Sequence, residues 1–546
     1  MKIKKFLLNN SSEIIVFLIG IAFGTFLMFS SFSSGEGIIM ISSKAWSDFA
    51  SHIPLIRSFS LGSNFPPEYP LFPGEPIKYH FIFYYIVGLL EKIGLPIGLA
   101  LNIPSAIGFI FLVLIIYYFS KQVFKSKSVG LLSVVFFLFN SSLSFIYYFR
   151  QNPLSTQSIL QIPNTTNFQS FAPYGQGIIS AFWNLNIYTN QRHLAVSFAL
   201  SFIIIYLAIK PILGEKTLSA RWYFILGIVL GLSFFIHTAV FLMSSVVLLS
   251  LAVLFSKIRK GVLVLLILAA IIAFPQYLYL TGSDGYSPNL VLGYLLANDL
   301  TFQKFIEFWI YNLGLSLILI PFGFIFATKF QRKILLAFFS LFIIGNTIQF
   351  SPEIAANHKF FNYFIVIGNM FSAFALLVLW NKKHFFKPIV IMLFLFMVFG
   401  GIIDFFPIYN DHKISIDDYK KNPDANWILT NTPSNSIFLN STYLYNPASL
   451  SGRKIFMGWP YFAWSQGYDT DARGKVMKDM LSAKSKSVAC DLLKRYKIDF
   501  VEIRIQNPPD PNIPNISLLY ENEFIKSYEN KNKNYSIYNV VTNCLP

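Results

Sequence analysis

The chain has 546 residues, of which 54% are hydrophobic, 18% aromatic and 13% charged, with a mean hydropathy of +0.54; this is too apolar and too poor in charge for a soluble domain. A formal charge of +17 would suggest nucleic acid in a soluble protein. Here Lys and Arg sit in short caps between apolar segments, so the charge reports membrane topology and excludes a nucleic-acid partner.

The chain opens on Met1-Lys-Ile-Lys-Lys5 and an apolar stretch from Ile14 to Phe32. The length of that stretch, and the many apolar segments after it, read as an uncleaved first span rather than a signal peptide. A bilayer core of about 30 Å needs roughly 20 apolar residues per crossing. Segments of that kind fall near 14–32, 101–120, 128–149, 193–213, 222–238, 239–256, 261–280, 308–327, 333–350, 361–380 and 387–406, which predicts about 11 spans. Tyr79 to Leu90 is apolar but short and runs straight into Glu91-Lys92, so it is expected to be an interfacial helix rather than a crossing.

The charges orient these spans. With the amino terminus in the cytoplasm, the inward gaps hold Lys121, Lys125 and Lys127; Lys210, Lys216 and Arg221; Lys257, Arg259 and Lys260; Lys329, Arg332 and Lys333; and Lys382, Lys383 and Lys387. The outward gaps are much poorer in cations for their length, as the positive-inside rule requires. Loops 33–100, 150–192, 281–307 and 351–360, and the tail from Pro407, then face the outside. The loop Tyr286 to Leu300 reads as flexible. No internal repeat appears, nor a pair of interrupted helices such as marks inverted-repeat transporters.

The tail combines turn clusters at Asn431-Thr-Pro-Ser434 and Asn507-Pro-Pro-Asp510 with apolar runs at Ser436–Leu439 and Phe500–Ile503, and a helical period from Lys475 to Tyr496. The expected fold is therefore an α-helical polytopic membrane bundle over 1–406 with a small α/β extracytoplasmic domain over 407–546, in the cell membrane. Cys490 and Cys544 both lie in that tail; they lack metal-ligand spacing, and two cysteines do not by themselves establish a disulfide.

Chemistry is sought in the outward segments. In the first, Asp48 and His52 are four residues apart and share one face of a helix. Such a pair is either a cap and interfacial anchor or a carboxylate and an imidazole aimed at a cavity mouth, where the carboxylate is a natural general base. Next comes a strap from Asn64 to His80 whose prolines at 66, 67, 70, 73 and 76 forbid regular helix.

A first span, an acidic residue early in the first outward loop, an interfacial apolar helix and a Pro104-Ser105-led span ending in basic residues together resemble the integral-membrane GT-C glycosyltransferases. That superfamily includes the protein O-mannosyltransferases and the lipid A aminoarabinose transferase. The resemblance covers the amino-terminal third best. It implies transfer of a sugar from a polyprenyl-phosphate-linked donor to an extracytoplasmic glycan, lipid or protein acceptor, expected as an inverting reaction with Asp48 as general base. Many relatives carry two adjacent acidic residues at this point, whereas Phe49 follows Asp48 here. No cofactor is fixed by the residues, no metal ligand set is assigned, and a divalent cation is compatible with the family.

An inverting transfer to a lipid-phosphate leaving group needs one base and cations on the phosphate. His52 is the residue to orient or relay for Asp48. For phosphate the candidates are Arg192 and His193 at the start of the fourth span, Glu353, His358 and Lys359 in the 351–360 loop, and His80 at the end of the strap. Relatives use the corresponding late loop against the lipid phosphate, which favours Lys359. Headgroup anchoring is the alternative for Arg192, His193 and Lys359, and His237 reads as a packing histidine. In the tail, Trp459, Trp464, Tyr468 and Asp469 place aromatic faces beside carboxylates, which suits either acceptor recognition or local packing. Two other functions share the compartment: a lipid or polysaccharide exporter, and a cell-surface polymer polymerase or ligase.

Overall fold

In the computed structural model, residues 10–169, 180–214, 219–281, 286–505 and 516–545 are described. The chain divides into two compact units, one of residues 1–31, 102–277 and 287–412 and one of residues 32–101, 278–286 and 413–546.

The first unit is helical. Ser11–Ser31, Ile97–Phe124, Arg192–Ile212, Ser256–Thr281, Ile354–Trp380 and Phe386–Tyr409 are each long and apolar enough to cross a membrane. Lys127–Leu138, Ala220–Phe235 and Thr238–Leu254 are shorter apolar helices, and Lys329–Gly345 is a further 17-residue helix. All eleven expected segments are thus helical along most of their length, and six of them meet the length of a full crossing. At the head of the first long helix, Glu13 pairs with Lys121 at 2.7 Å and Lys127 at 3.6 Å.

Two expected spans are broken, which corrects the expectation of uninterrupted helices. The segment 128–149 stops at Leu138 and resumes as Ser144–Gln151. The segment 308–327 is two helices, Phe302–Leu313 and Ser316–Phe326, at 86° to one another. The breaks serve each other's backbone: Leu143 N donates to Tyr311 O at 2.9 Å and Ser141 Oγ to Leu313 O at 2.6 Å. Exposed backbone is intolerable in lipid unless it is satisfied internally, and mutual satisfaction permits both interruptions. Hydropathy does not register them, because Asn140-Ser-Ser142 and Gly314 are short gaps inside apolar windows. The loop Tyr286 to Leu300, expected to be flexible, contains a strand and a buried tyrosine. Asn289–Leu290 pairs with Ile348–Gln349, and the buried Tyr294 donates to Ala355 O at 2.8 Å.

In the second unit, strands Phe32–Gly35 and Ile38–Ser42 form a hairpin whose second strand pairs antiparallel with Lys413–Asp417. The helix Trp46–Ser60 follows and packs on Ile82–Lys92, the short helix anticipated from Tyr79 to Leu90. Gly88 makes their approach feasible, since a Cβ there would lie 2.9 Å from Ile56 O. Arg57, 1% exposed, sits between Glu91 at 3.1 Å and Asp418 at 2.8 Å. This ion triad joins three segments that are remote in sequence.

The tail forms a five-stranded sheet in the order Lys454–Ile455, Ile437–Leu439, Phe500–Arg504, Tyr535–Asn539, Tyr528–Asn530. The first two joins are parallel and the other two antiparallel. The helical period from Lys475 resolves into Thr470–Leu481 and Lys486–Arg495. Cys490 and Cys544 are disulfide-bonded, with Cα atoms 5.4 Å apart. The expected turn at 507–510 lies outside the described residues. The proline strap is held by Glu68 on Lys454 at 2.6 Å, Arg473 over the Phe72 ring at 3.7 Å, and Tyr468, whose hydroxyl accepts from Lys78 N at 2.8 Å.

Two outcomes test this architecture. Gly314 has φ +53°, and a Cβ there would lie 1.8 Å from Ser141 O, so Gly314→Ala should lower the stability of the purified protein by about 1–3 kcal/mol, read as a fall in thermal midpoint. Glu502 is fully buried; desolvation pushes its carboxyl up from 4.5 to about 7, against hydrogen bonds from Tyr535 and Asn446. The unfolded chain releases this proton at lower pH than the folded one. Glu502 therefore makes stability fall as pH rises from about 4.5 to about 7, by at most about 1.4 kcal/mol per pH unit. Glu502→Gln should flatten that slope in pH-dependent unfolding of the full chain.

Candidate functional site

In the second unit, Asp48 lies in the first turn of Trp46–Ser60, where a carboxylate is favoured by the helix's positive end. It is half-buried. His52, one turn on, is buried, with its ring 4.8 Å from Tyr84 and 5.7 Å from Phe49. The shared face expected for this pair is therefore present.

Three phenols that the sequence reading missed lie within electrostatic reach of the carboxylate. Desolvation, and then the charge of Asp48, push the Tyr79 and Tyr445 hydroxyls up from 10.0. For Tyr84 desolvation leads, followed by Tyr79 and Asp48. All three hydroxyls stay protonated at neutral pH, so the carboxylate has neutral phenols and not competing anions near it. Tyr445 reaches its place from a left-handed backbone, φ +49°. Its hydroxyl donates to Trp46 O and its ring lies 4.2 Å from Trp46. Tyr79 and Tyr84 stand at the strap's end, where proximity to Asp48 was open to suspicion; Tyr445, nearly 400 positions away, carried no signal. His80 lies next to Tyr79, rings 3.9 Å apart.

In the first unit, three helices begin with the chemistry of an anion site. Arg192–Ile209 starts with Arg192-His193, Thr238–Leu254 has His237 as its N-cap, and His358–Trp380 starts with His358-Lys359. The rings of His193 and His237 are 5.0 Å apart, and His358 and Lys359 act electrostatically on His237. The structure thus gathers His193, His358 and Lys359, and adds His237, which the sequence reading left to packing. Its signal was position: an imidazole at the start of a helix, on the same side of its neighbours as the two other helix starts. Helix N-termini carry partial positive charge and free N–H groups, so this convergence favours an anion.

The other candidates are placed differently. Arg192 is fully buried, and its guanidinium donates to Met28 O at 3.2 Å, Ser31 Oγ at 2.8 Å and Asn102 Oδ1 at 3.3 Å. It ties the end of the first helix to its neighbours. Glu353 caps a short 3-10 turn, Ile354–Asn357, and its carbonyl accepts from Ser351 at 2.7 Å. In the tail, Tyr468 is buried in the strap contact, and Asp469 caps Thr470–Leu481 through Ala472 N at 3.0 Å. Trp459 packs edge-on against Tyr443. Trp464 and its neighbour Tyr461 are 42% and 44% exposed, so both present open faces.

The chain matches no family model and no curated protein. Among solved structures it is similar to the oligosaccharyltransferase of Archaeoglobus fulgidus in the apo form, at 13% identity and TM-score 0.46, over 90% of this chain and 69% of that one. The complex of that organism's archaeal oligosaccharyltransferase AglB with an inhibitory peptide and a dolichol-phosphate gives the same figures. A form tethered to an acceptor peptide containing the NVT sequon gives 12% identity and TM-score 0.47, over 92% and 70%.

Arg192→Lys should lower the thermal midpoint by the equivalent of about 1–3 kcal/mol, because an ammonium cannot span the three acceptors that the planar fork reaches. Thermal unfolding of the purified variant measures this.

Proposed function

We propose that the protein is a membrane glycosyltransferase that moves a sugar from a lipid-phosphate donor to a hydroxyl- or amide-bearing acceptor. The observation that carries the reading is Asp48: a half-buried carboxylate at a helix start, within electrostatic reach of three protonated phenols, with His52 one turn away. A base so placed takes a proton from an acceptor while neighbouring hydroxyls hold polar groups of the substrate. The helix starts at His193, His237 and His358-Lys359 support a second assignment, to the donor's phosphate.

In the proposed step the acceptor's lone pair attacks the anomeric carbon and its proton passes to Asp48. The bond from that carbon to the phosphate oxygen breaks, and the lipid phosphate leaves with the electron pair. Cationic groups stabilise that charge, so the leaving oxygen needs no acid. Trp464 and Tyr461 offer aromatic faces to an acceptor; the lipid-linked donor is what the resemblance to the GT-C glycosyltransferases implies, and the charge pattern of the gaps supports an extracytoplasmic Asp48. A divalent cation is not assigned a step; transfer measured with and without a chelator tests that assignment.

Asp48→Asn should reduce transfer from extracted lipid-linked sugars by about 10²–10⁴-fold, the share of a general base, while thermal unfolding stays within a few degrees of the parent. Full activity in that variant would reject the assignment. Lys359→Ala should raise the donor concentration needed for half-maximal rate with little change for acceptor. Export of a lipid or glycan is the second reading, favoured by the two broken helices and by Asp404 inside a membrane-spanning helix. Movement of a labelled lipid across liposomes without sugar transfer would establish it instead.

A further inference from the structure

His358 opens the helix His358–Trp380 and is buried. Its ring is held from two directions. Phe182, from the short helix Ser180–Trp183, stacks on it with ring centroids 4.6 Å apart and planes 20° from parallel. One turn along its own helix, Asn362 Oδ1 lies 2.8 Å from His358 Nδ1. An amide oxygen only accepts, so Nδ1 carries the hydrogen of this pair. The amide has one orientation, because its Nδ2 donates to Phe182 O at 2.8 Å. Asn362 is itself buried, and turning its amide over would set oxygen against the Phe182 carbonyl and leave both unsatisfied.

A neutral imidazole has one ring N–H, and here Asn362 commits it to Nδ1. Nε2, which makes no hydrogen bond among the described residues, is then a bare lone pair. Any proton that the ring gains arrives at Nε2, and the cation so formed keeps one donor for a ligand. This bears on the phosphate assignment made above for these helix starts, on which the inference rests. When the bond from the anomeric carbon to the phosphate oxygen breaks, the phosphate gains one negative charge. A proton on Nε2 answers that charge, and a bare Nε2 opposes it. The charged and titratable groups of the same unit around the ring are Lys359 beside it, His237 at the start of Thr238–Leu254 and, against His237, His193 at the start of Arg192–Ile209. No carboxylate is among them, so the ring cation is favoured by Asn362 Oδ1 and by a bound anion.

We propose that Asn362 is a positioning residue for the donor's phosphate: it holds His358 in the Nδ1–H form with its ring in one plane, so that Nε2 takes up a proton as the phosphate binds and donates it in a hydrogen bond to a phosphate oxygen. Asn362 touches no substrate and acts through His358. The proton comes from solvent and returns there when the lipid phosphate departs.

The test uses purified full-length protein in detergent with ¹⁵N-labelled histidine, His358 being assigned by the signal lost in His358→Gln. Without ligand at alkaline pH, ¹⁵N spectra should show a protonated Nδ1 and a bare Nε2 at His358. Inorganic phosphate added near neutral pH should protonate Nε2 as well. Asn362→Leu should populate the Nε2–H form of the neutral ring, since nothing then holds the hydrogen on Nδ1. With extracted lipid-linked sugars, the same variant should raise the KM for donor about tenfold, the scale on which a ligating histidine depends on its outer partner, and leave the KM for acceptor unchanged. Asn362→Asp, whose carboxylate still accepts from Nδ1 and favours the ring cation, should carry the falling limb of the rate profile to higher pH, and it is the deciding variant if Asn362→Leu does not fold. A bare Nδ1 in the wild type, the same tautomer in Asn362→Leu, or a donor KM and pH profile that neither variant changes would each overturn the proposal. A wild type that transfers no sugar, yet protonates Nε2 when phosphate is added, would reject the transfer reading and support the role of Asn362 at an anion site.

Discussion

The second unit depends on one buried cation. Arg57 lies at the end of the helix that carries Asp48, and its guanidinium holds Glu91 from the short apolar helix and Asp418 from the segment after the last long helix. Removing Arg57 from water is costly, and two carboxylates compensate only where their geometry is good. Burial raises the Glu91 carboxyl above its ordinary value, and the Arg57 charge opposes that. Once the three segments are locked, the helix Trp46–Ser60 has one orientation, and Asp48, His52, Tyr84 and Tyr445 acquire fixed relations. The local stability around Asp48 and the chemistry proposed for it rest on the same contact.

The first unit obeys a different constraint. In lipid each backbone polar group needs a protein partner, so a helix breaks only where another element replaces its lost hydrogen bonds. Ser141 and Leu143 supply partners to the break at Leu313–Gly314 and draw on it in turn. Glycines at 314, 400 and 401 let the chains approach where any side chain would collide with backbone. Polar side chains gathered at these breaks, including Asp404, are therefore a consequence of interruption.

The two candidate centres use opposite electrostatics. Near Asp48 the structure supplies neutral phenols, kept protonated by desolvation and by the carboxylate's own charge. At the starts of the Arg192, Thr238 and His358 helices it supplies positive ends, imidazoles and a lysine. The first environment suits proton acceptance and polar recognition, and the second suits an anion. Arg192, which by type was a natural phosphate ligand, instead satisfies three acceptors around the end of the first helix.

Composition and period determined by themselves that the chain is a membrane bundle with a folded tail, because long apolar runs leave no alternative and the alternating apolar runs of the tail call for a sheet. The Asp48–His52 face was legible for the same reason: a four-residue spacing is a local property of a helix. The helix breaks, the partners of Arg192, the Cys490–Cys544 bond and the arrival of Tyr445 beside Trp46 were decided only by tertiary structure. Each joins residues separated by tens to hundreds of positions, and local pattern carries no information about which distant backbone carbonyl, thiol or ring will complete a contact.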